Sequence, residues 1–107
     1  MGPSKSPTKL EREWMDRAVR YGCLACILDG HEPRPTAYHH IVMFGRRLGH
    51  LYGIGLCDPG HHQNGEQFGL LSVHPHKARF EAKYGTQLEL LAELKKRLGI
   101  FTEASYT

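Results

Sequence analysis

The 107-residue chain has no apolar run near the roughly 20 residues that a membrane-spanning helix needs. Its N-terminus lacks the apolar centre of a signal peptide. Both absences argue against a membrane or secreted protein and for a cytoplasmic one. Cysteine is scarce and odd in number. Three residues cannot all pair with one another, and without a secretion signal metal binding outranks disulfides. Internal repeats and low-complexity tracts are missing too. At 40% hydrophobic and 23% charged, the composition suits a folded domain, and the length allows only one. Twelve glycines and six prolines put much of that domain in loops, and a small loop-rich domain benefits from a staple.

Histidine is what the chain has in plenty, with eight. It is the commonest metal ligand and a general base near neutral pH. The net charge is +3 before any histidine protonates, which fits an anionic partner.

Residues 1–7 read as a flexible lead-in, 8–100 as one zinc-stapled domain and 101–107 as a tail. Thr8 and Glu11 form a capping box, and Leu10, Trp14, Ala18 and Tyr21 recur at helical spacing, so a helix is expected over about 9–21. Gly22 ends it. Residues 22–38 read as loop or knuckle. Ala37 to Phe44 is rich in aromatic and β-branched residues and predicts a strand. Gly45-Arg46-Arg47 opens a polar connection, and Tyr52 to Cys57 predicts a second short strand. Asp58-Pro59-Gly60 is a turn, with a short helical segment expected near His61. Pro75 fits the first turn of a helix running to Tyr84, with His74 near its N-cap. Thr86 and Glu89 make a second capping box. Leu88, Leu91, Leu94 (or Ala92) and Leu98 then mark a last helix, ended by Gly99.

Cys23-Leu24-Ala25-Cys26 has the two-residue gap that lets two thiolates meet one tetrahedral metal. A redox pair is the rival, but no βαβ pattern surrounds it. Haem attachment would need histidine where Ile27 stands. Cys57-Asp58-Pro59-Gly60-His61 brings a third thiolate and an imidazole together across a tight turn. The four predict a structural Zn2+ site, with His31 as an alternative to His61 for the fourth ligand. The plainer reading is three buried thiols.

His39-His40 lies within the first predicted strand. Neighbours on a strand point to opposite faces, so the two cannot simply share one metal. The ordinary reading is one satisfied, half-buried histidine beside an exposed one. A second pair, His61-His62, follows a turn. If His61 joins the zinc set, His62 points elsewhere. Phosphodiester hydrolysis accounts for such a pattern: it needs an activated water and a cation that stabilises charge on phosphate, and histidines can serve both.

Tyr38-His39-His40-Ile41, then Gly55-Leu56-Cys57, then His61-His62 resemble the HNH (ββα-metal) endonucleases. With Cys23 and Cys26, Ser72-Val73-His74 and Phe80-Glu81-x2-Tyr84-Gly85, the chain is more narrowly similar to zinc-containing phage and prophage recombination nucleases, the Ref-like proteins. The similarity covers about 21–98. It implies an α+β fold: a small HNH ββα-metal finger with a zinc knuckle, flanked by N- and C-terminal helices. It implies His40 as the general base. It assigns His39, His62 and His74 to a catalytic divalent ion, Mg2+ or Mn2+. His50 stands seven residues before Cys57, at the middle position, where the motif has asparagine. DNA is the implied substrate and a recombinase filament an implied partner.

Arg46 and Arg47 follow the first strand, and Lys77, Arg79 and Lys83 lie on the helix after His74. These are candidate phosphate contacts, which give affinity without sequence information. Their plainer reading is solvated surface charge. Lys95, Lys96 and Arg97 end the last helix, where cations suit the helix dipole. Two rivals to an endonuclease are a non-catalytic zinc module binding nucleic acid and a zinc-stapled protein-interaction domain. Neither needs a second histidine constellation.

Overall fold

A computed structural model describes residues 6–32 and 34–100. Most of the expected lead-in and the whole of the expected tail lie outside that range. The architecture is α+β. Helix α1 spans Lys9–Tyr21, and its N-terminus closes with both bonds of the Thr8/Glu11 capping box. Strand β1 (Thr36–His40) pairs antiparallel with β4 (Gly53–Cys57), placing Thr36 opposite Cys57 and His40 opposite Gly53. Helix α3 covers Lys77–Tyr84 and helix α4 covers Gln87–Arg97, the latter opened by the Thr86/Glu89 box.

All five residues of β4 are buried, because α1, α2 (Leu24–Asp29) and α4 pack against it. Its Gly-Ile-Gly-Leu-Cys sequence therefore shows no polar alternation. Gly55 lies so close to α1 that a methyl group there would sit 2.7 Å from Ala18 O and 2.9 Å from Gly22 O. Trp14 and Ala18 of α1, Leu24 of α2, Ile54 and Leu56 of β4, Phe80 of α3 and Leu90, Leu91 and Leu94 of α4 form the core.

Several local expectations change. The knuckle after Gly22 contains helix α2, with Cys23 as its N-cap. The single strand expected over Ala37–Phe44 divides at Ile41. Its N–H bonds to Tyr52 O at 2.9 Å, while its carbonyl accepts from Leu48 N at 3.1 Å, so the chain changes partners there. Beyond it, β2 (Val42–Met43) and β3 (Arg46–Arg47) pair as a separate hairpin, where only a polar connection was expected. No α-helix forms near His61. The N–H groups of His61 and His62 go to Cys57 Sγ and Cys57 O, and those of Val73 and His74 go to the carbonyls of His61 and His62. The same bonds tie Val73 and His74 back to the turn after β4, and α3 begins at Lys77 rather than Pro75, with His76 at the cap. Leu10 and Leu88, expected on apolar helix faces, are exposed.

Candidate metal centres and the adjoining histidine pair

The first centre is built by α2 and the turn after β4. Cys23, Cys26, Cys57 and His61 are all buried, and their donor atoms converge. His61 Nδ1 lies 3.4 Å from Cys23 Sγ, 3.4 Å from Cys26 Sγ and 3.5 Å from Cys57 Sγ, and the Cys26 and Cys57 sulfurs are 3.7 Å apart. A tetrahedral zinc with bonds of about 2.3 Å to sulfur and 2.0 Å to nitrogen would separate sulfur from nitrogen by about 3.5 Å and sulfur from sulfur by about 3.8 Å. The set matches those edges and could hold zinc.

Backbone N–H groups support the sulfurs. Cys26 N donates to Cys23 Sγ at 3.3 Å and His61 N to Cys57 Sγ at 3.2 Å. As thiols, Cys23 and Cys26 resist ionisation. Burial and the neighbouring Cys57 push Cys23 up to about 11, and burial and the neighbouring sulfurs push Cys26 higher still. A bound cation reverses this, because a coordinating thiol is deprotonated outright. His31 stays outside the centre, exposed, 3.7 Å from Asp29 Oδ2.

The far side of His61 is also held. Tyr84 donates to Asp29 Oδ2 at 2.6 Å, and both groups approach His61 Nε2, at 3.0 Å and 3.3 Å. A carboxylate on the second imidazole nitrogen fixes the tautomer that turns Nδ1 toward a metal.

The second centre gathers His39, His62 and His74. Their ring centroids are 5.0–5.3 Å apart. β1 supplies His39 and the turn after Cys57 supplies His62, so adjacent histidines, His61 and His62, serve different centres. The bridge between Gln63 and His74 brings in the third ring.

Hydrogen bonds assign two of the tautomers. Glu81 Oε2 can only accept, so Gln87 Nε2 donates to it at 2.9 Å. Gln87 Oε1 then faces His39 Nε2 at 2.7 Å and must accept from it. His39 Nδ1 is left with its lone pair. Asp58 Oδ2 likewise takes His62 Nδ1–H at 3.1 Å, leaving Nε2. Burial pushes His39 down to about 4 and lowers His74 as well, so both rings are neutral at neutral pH. The lone pairs left on His39 Nδ1 and His62 Nε2, gathered with the His74 ring, suit a divalent cation.

His40 projects from the opposite face of β1 to His39, as strand geometry requires. Its Nε2 lies 3.1 Å from His50 Nδ1, and its ring meets Tyr38 edge-on. Tyr38 in turn donates to His50 O at 2.7 Å. Burial lowers the His40 pKa, and Arg47 and His50 lower it further. The ring is therefore neutral at neutral pH, as a general base must be.

A family model described as recombination enhancement, RecA-dependent nuclease, matches residues 7–99. The chain belongs to that family. Membership indicates a nuclease role in recombination, with DNA as the polymer such a nuclease acts on. No curated protein matches the chain. Among the described residues of this nuclease, no helix is long and apolar enough to cross a membrane.

The candidate DNA contacts Arg46, Arg47, Lys77 and Arg79 are all exposed. Lys83 pairs with Asp29 at 3.6 Å and lies over the Tyr84 ring. His76 pairs with Glu66 at 2.8 Å and joins neither centre. Sequence reasoning missed Asp29, Asp58, Glu81, Tyr84 and Gln87 as supporting residues. Gln87 had a legible signal: a buried polar residue in register with core leucines Leu90, Leu91 and Leu94.

Proposed function

We propose that the chain is an HNH (ββα-metal) DNA endonuclease of the phage and prophage Ref-like type, hydrolysing phosphodiester bonds with weak sequence preference in the cytoplasm. The observation that carries this reading is a second histidine centre, distinct from the cysteine-rich one, beside His40 and its hydrogen-bonded partner His50. A module that only binds nucleic acid or protein has no use for it.

In this reading Cys23, Cys26, Cys57 and His61 hold a structural Zn2+. His39 Nδ1, His62 Nε2 and His74 hold Mg2+ or Mn2+. When bound, that cation offsets charge developing on the phosphate and the leaving oxygen. His40 donates Nε2–H to His50 Nδ1, which leaves His40 Nδ1 to take the proton from the attacking water. His50 thereby orients the base from the middle position of the motif. Gln87 and Asp58 keep His39 and His62 aimed. Arg46, Arg47, Lys77 and Arg79 hold phosphates on either side. A recombinase filament is the partner, on the strength of the family's description.

The test is the Mn2+ dependence of plasmid nicking. In the parent, the rate should rise with Mn2+ and saturate. His62→Ala should need at least about tenfold more Mn2+ to reach half its maximum, in line with losing a ligand's support. Identical Mn2+ curves, with zinc content unchanged, would remove His62 from the site.

The phosphate contacts make a separate prediction. Affinity for DNA should fall steeply with salt and vary little between unrelated sequences. Charge reversal at Arg46 and Arg47 should weaken binding to all of them alike and lower the salt slope by about one for each phosphate no longer neutralised. Fluorescence anisotropy against salt concentration measures both. One strongly preferred sequence, or binding indifferent to salt, would contradict the assignment.

A further inference from the structure

The β2–β3 hairpin ends in a two-residue turn, Phe44-Gly45, with φ of 54° and 77°. Positive φ at both positions is the pattern of a type I′ turn, whose first position favours asparagine, aspartate or glycine. A bulky aromatic there is a genuine outlier and costs stability. No packing offsets that cost, since Phe44 is 95% exposed. The hairpin's base, in contrast, is fixed: Ile41 is buried, Met43 packs on the core, and Leu48 N bonds to Ile41 O. A strained, bare phenyl ring is thus presented on an anchored stalk.

The surroundings of the ring select its partner. Arg46 and Arg47 follow it after Gly45 and are exposed. No aspartate or glutamate occurs between Glu32 and Asp58, a stretch that contains Arg34, Arg46 and Arg47. An apolar or acidic protein surface would not need both features, but a nucleic acid offers flat apolar bases on an anionic backbone. The tip is four residues from His40, a reach of at most about 14 Å. That span corresponds to about four base steps of 3.4 Å.

We infer that the Phe44 tip is a base-stacking site: it engages an unpaired base of the DNA within about four nucleotides of the scissile phosphate, while Arg46 and Arg47 hold the flanking backbone. In an intact duplex both faces of each base are covered by neighbours, so the contact favours single-stranded or unstacked DNA. The inference rests on the reading of the chain as a DNA-cleaving enzyme.

Zinc-loaded parent, Phe44→Ala, Phe44→Trp and Phe44→Asn are compared in Ca2+ for binding to a fluorescein-labelled 30-nucleotide single strand and to a blunt duplex of the same sequence. Bis(p-nitrophenyl) phosphate hydrolysis in Mn2+ is measured alongside, because that small diester reaches the site without the hairpin. Phe44→Ala should lose about tenfold or more in single-strand affinity and less than about threefold on the duplex. Phe44→Trp should keep the affinity, and its added fluorescence should be quenched by the strand. Phe44→Asn, which suits the turn, should raise Tm by about 4 °C yet bind the single strand as weakly as Phe44→Ala. Diester hydrolysis should be the same in all four. Equal single-strand affinity in parent and Phe44→Ala, with hydrolysis intact, would overturn the stacking role alone. The same holds if Phe44→Ala changes only the response to a recombinase filament, which would make the tip a protein contact. If the parent neither hydrolyses the diester nor binds DNA, the enzyme reading fails and the stacking site falls with it.

Discussion

Cys57→Ala is expected to lose the bound zinc and most of the folded structure. Cys57 is buried, its sulfur faces Cys26 Sγ and His61 Nδ1, and it accepts from the N–H of His61. It also ends β4, the strand against which three helices pack. Zinc sites of this kind contribute about 10–16 kcal/mol of apparent binding free energy near neutral pH, and that energy is folding energy. A whole domain is stable by only about 5–15 kcal/mol. The loss therefore exceeds any repacking that alanine could allow. Zinc by elemental analysis and thermal unfolding by circular dichroism read the outcome. Unchanged zinc content together with an unchanged Tm would rule out Cys57 as a ligand.

His40→Ala should cut cleavage by about 10²–10⁴-fold, the usual effect of removing a positioned general base. Its ring touches Tyr38 and His50 and neither candidate ligand set, so zinc content and Tm should stay close to the parent's. The pH profile gives the sign independently. Burial, Arg47 and His50 hold the His40 pKa below its ordinary 6.5. The imidazole is thus free to accept a proton at neutral pH, and activity should fall only as pH drops through that lowered value. A profile falling already above pH 7 would point to a different base.

Both capping boxes, both long helices and strands at the positions of β1 and β4 were legible, because each rests on local chemistry that sequence displays directly, while the pairing of those strands was implied only by the family resemblance. The division of His61 from His62 was legible too, since a Cys-x3-His turn leaves the next residue facing elsewhere. What the sequence hid depends on contacts between distant segments. Helix α2 is hidden because Cys23 caps it with a thiol, which accepts from Cys26 N where a hydroxyl or carboxylate is the usual signal. The break at Ile41 is a change of hydrogen-bonding partner, with no glycine or proline to mark it. Gln87 and Glu81 lie more than 40 residues from His39, and no spacing rule joins them to it. Tyr84 and Asp29 reach His61 in the same non-local way. Charge alone pointed to Arg46 and Arg47, but only the hairpin that pairs them with Val42 and Met43 exposes the strained turn before them.

The most direct measurement is the initial rate at which supercoiled plasmid is nicked in saturating Mn2+ by parent and His40→Ala, with zinc determined on the same samples. Nicking by the parent and a loss of at least about a hundredfold in the equally zinc-loaded mutant is the expected result. Equal rates in the two zinc-loaded proteins, or no nicking by the parent on single-stranded, duplex or branched DNA, would contradict a hydrolytic site built around His40.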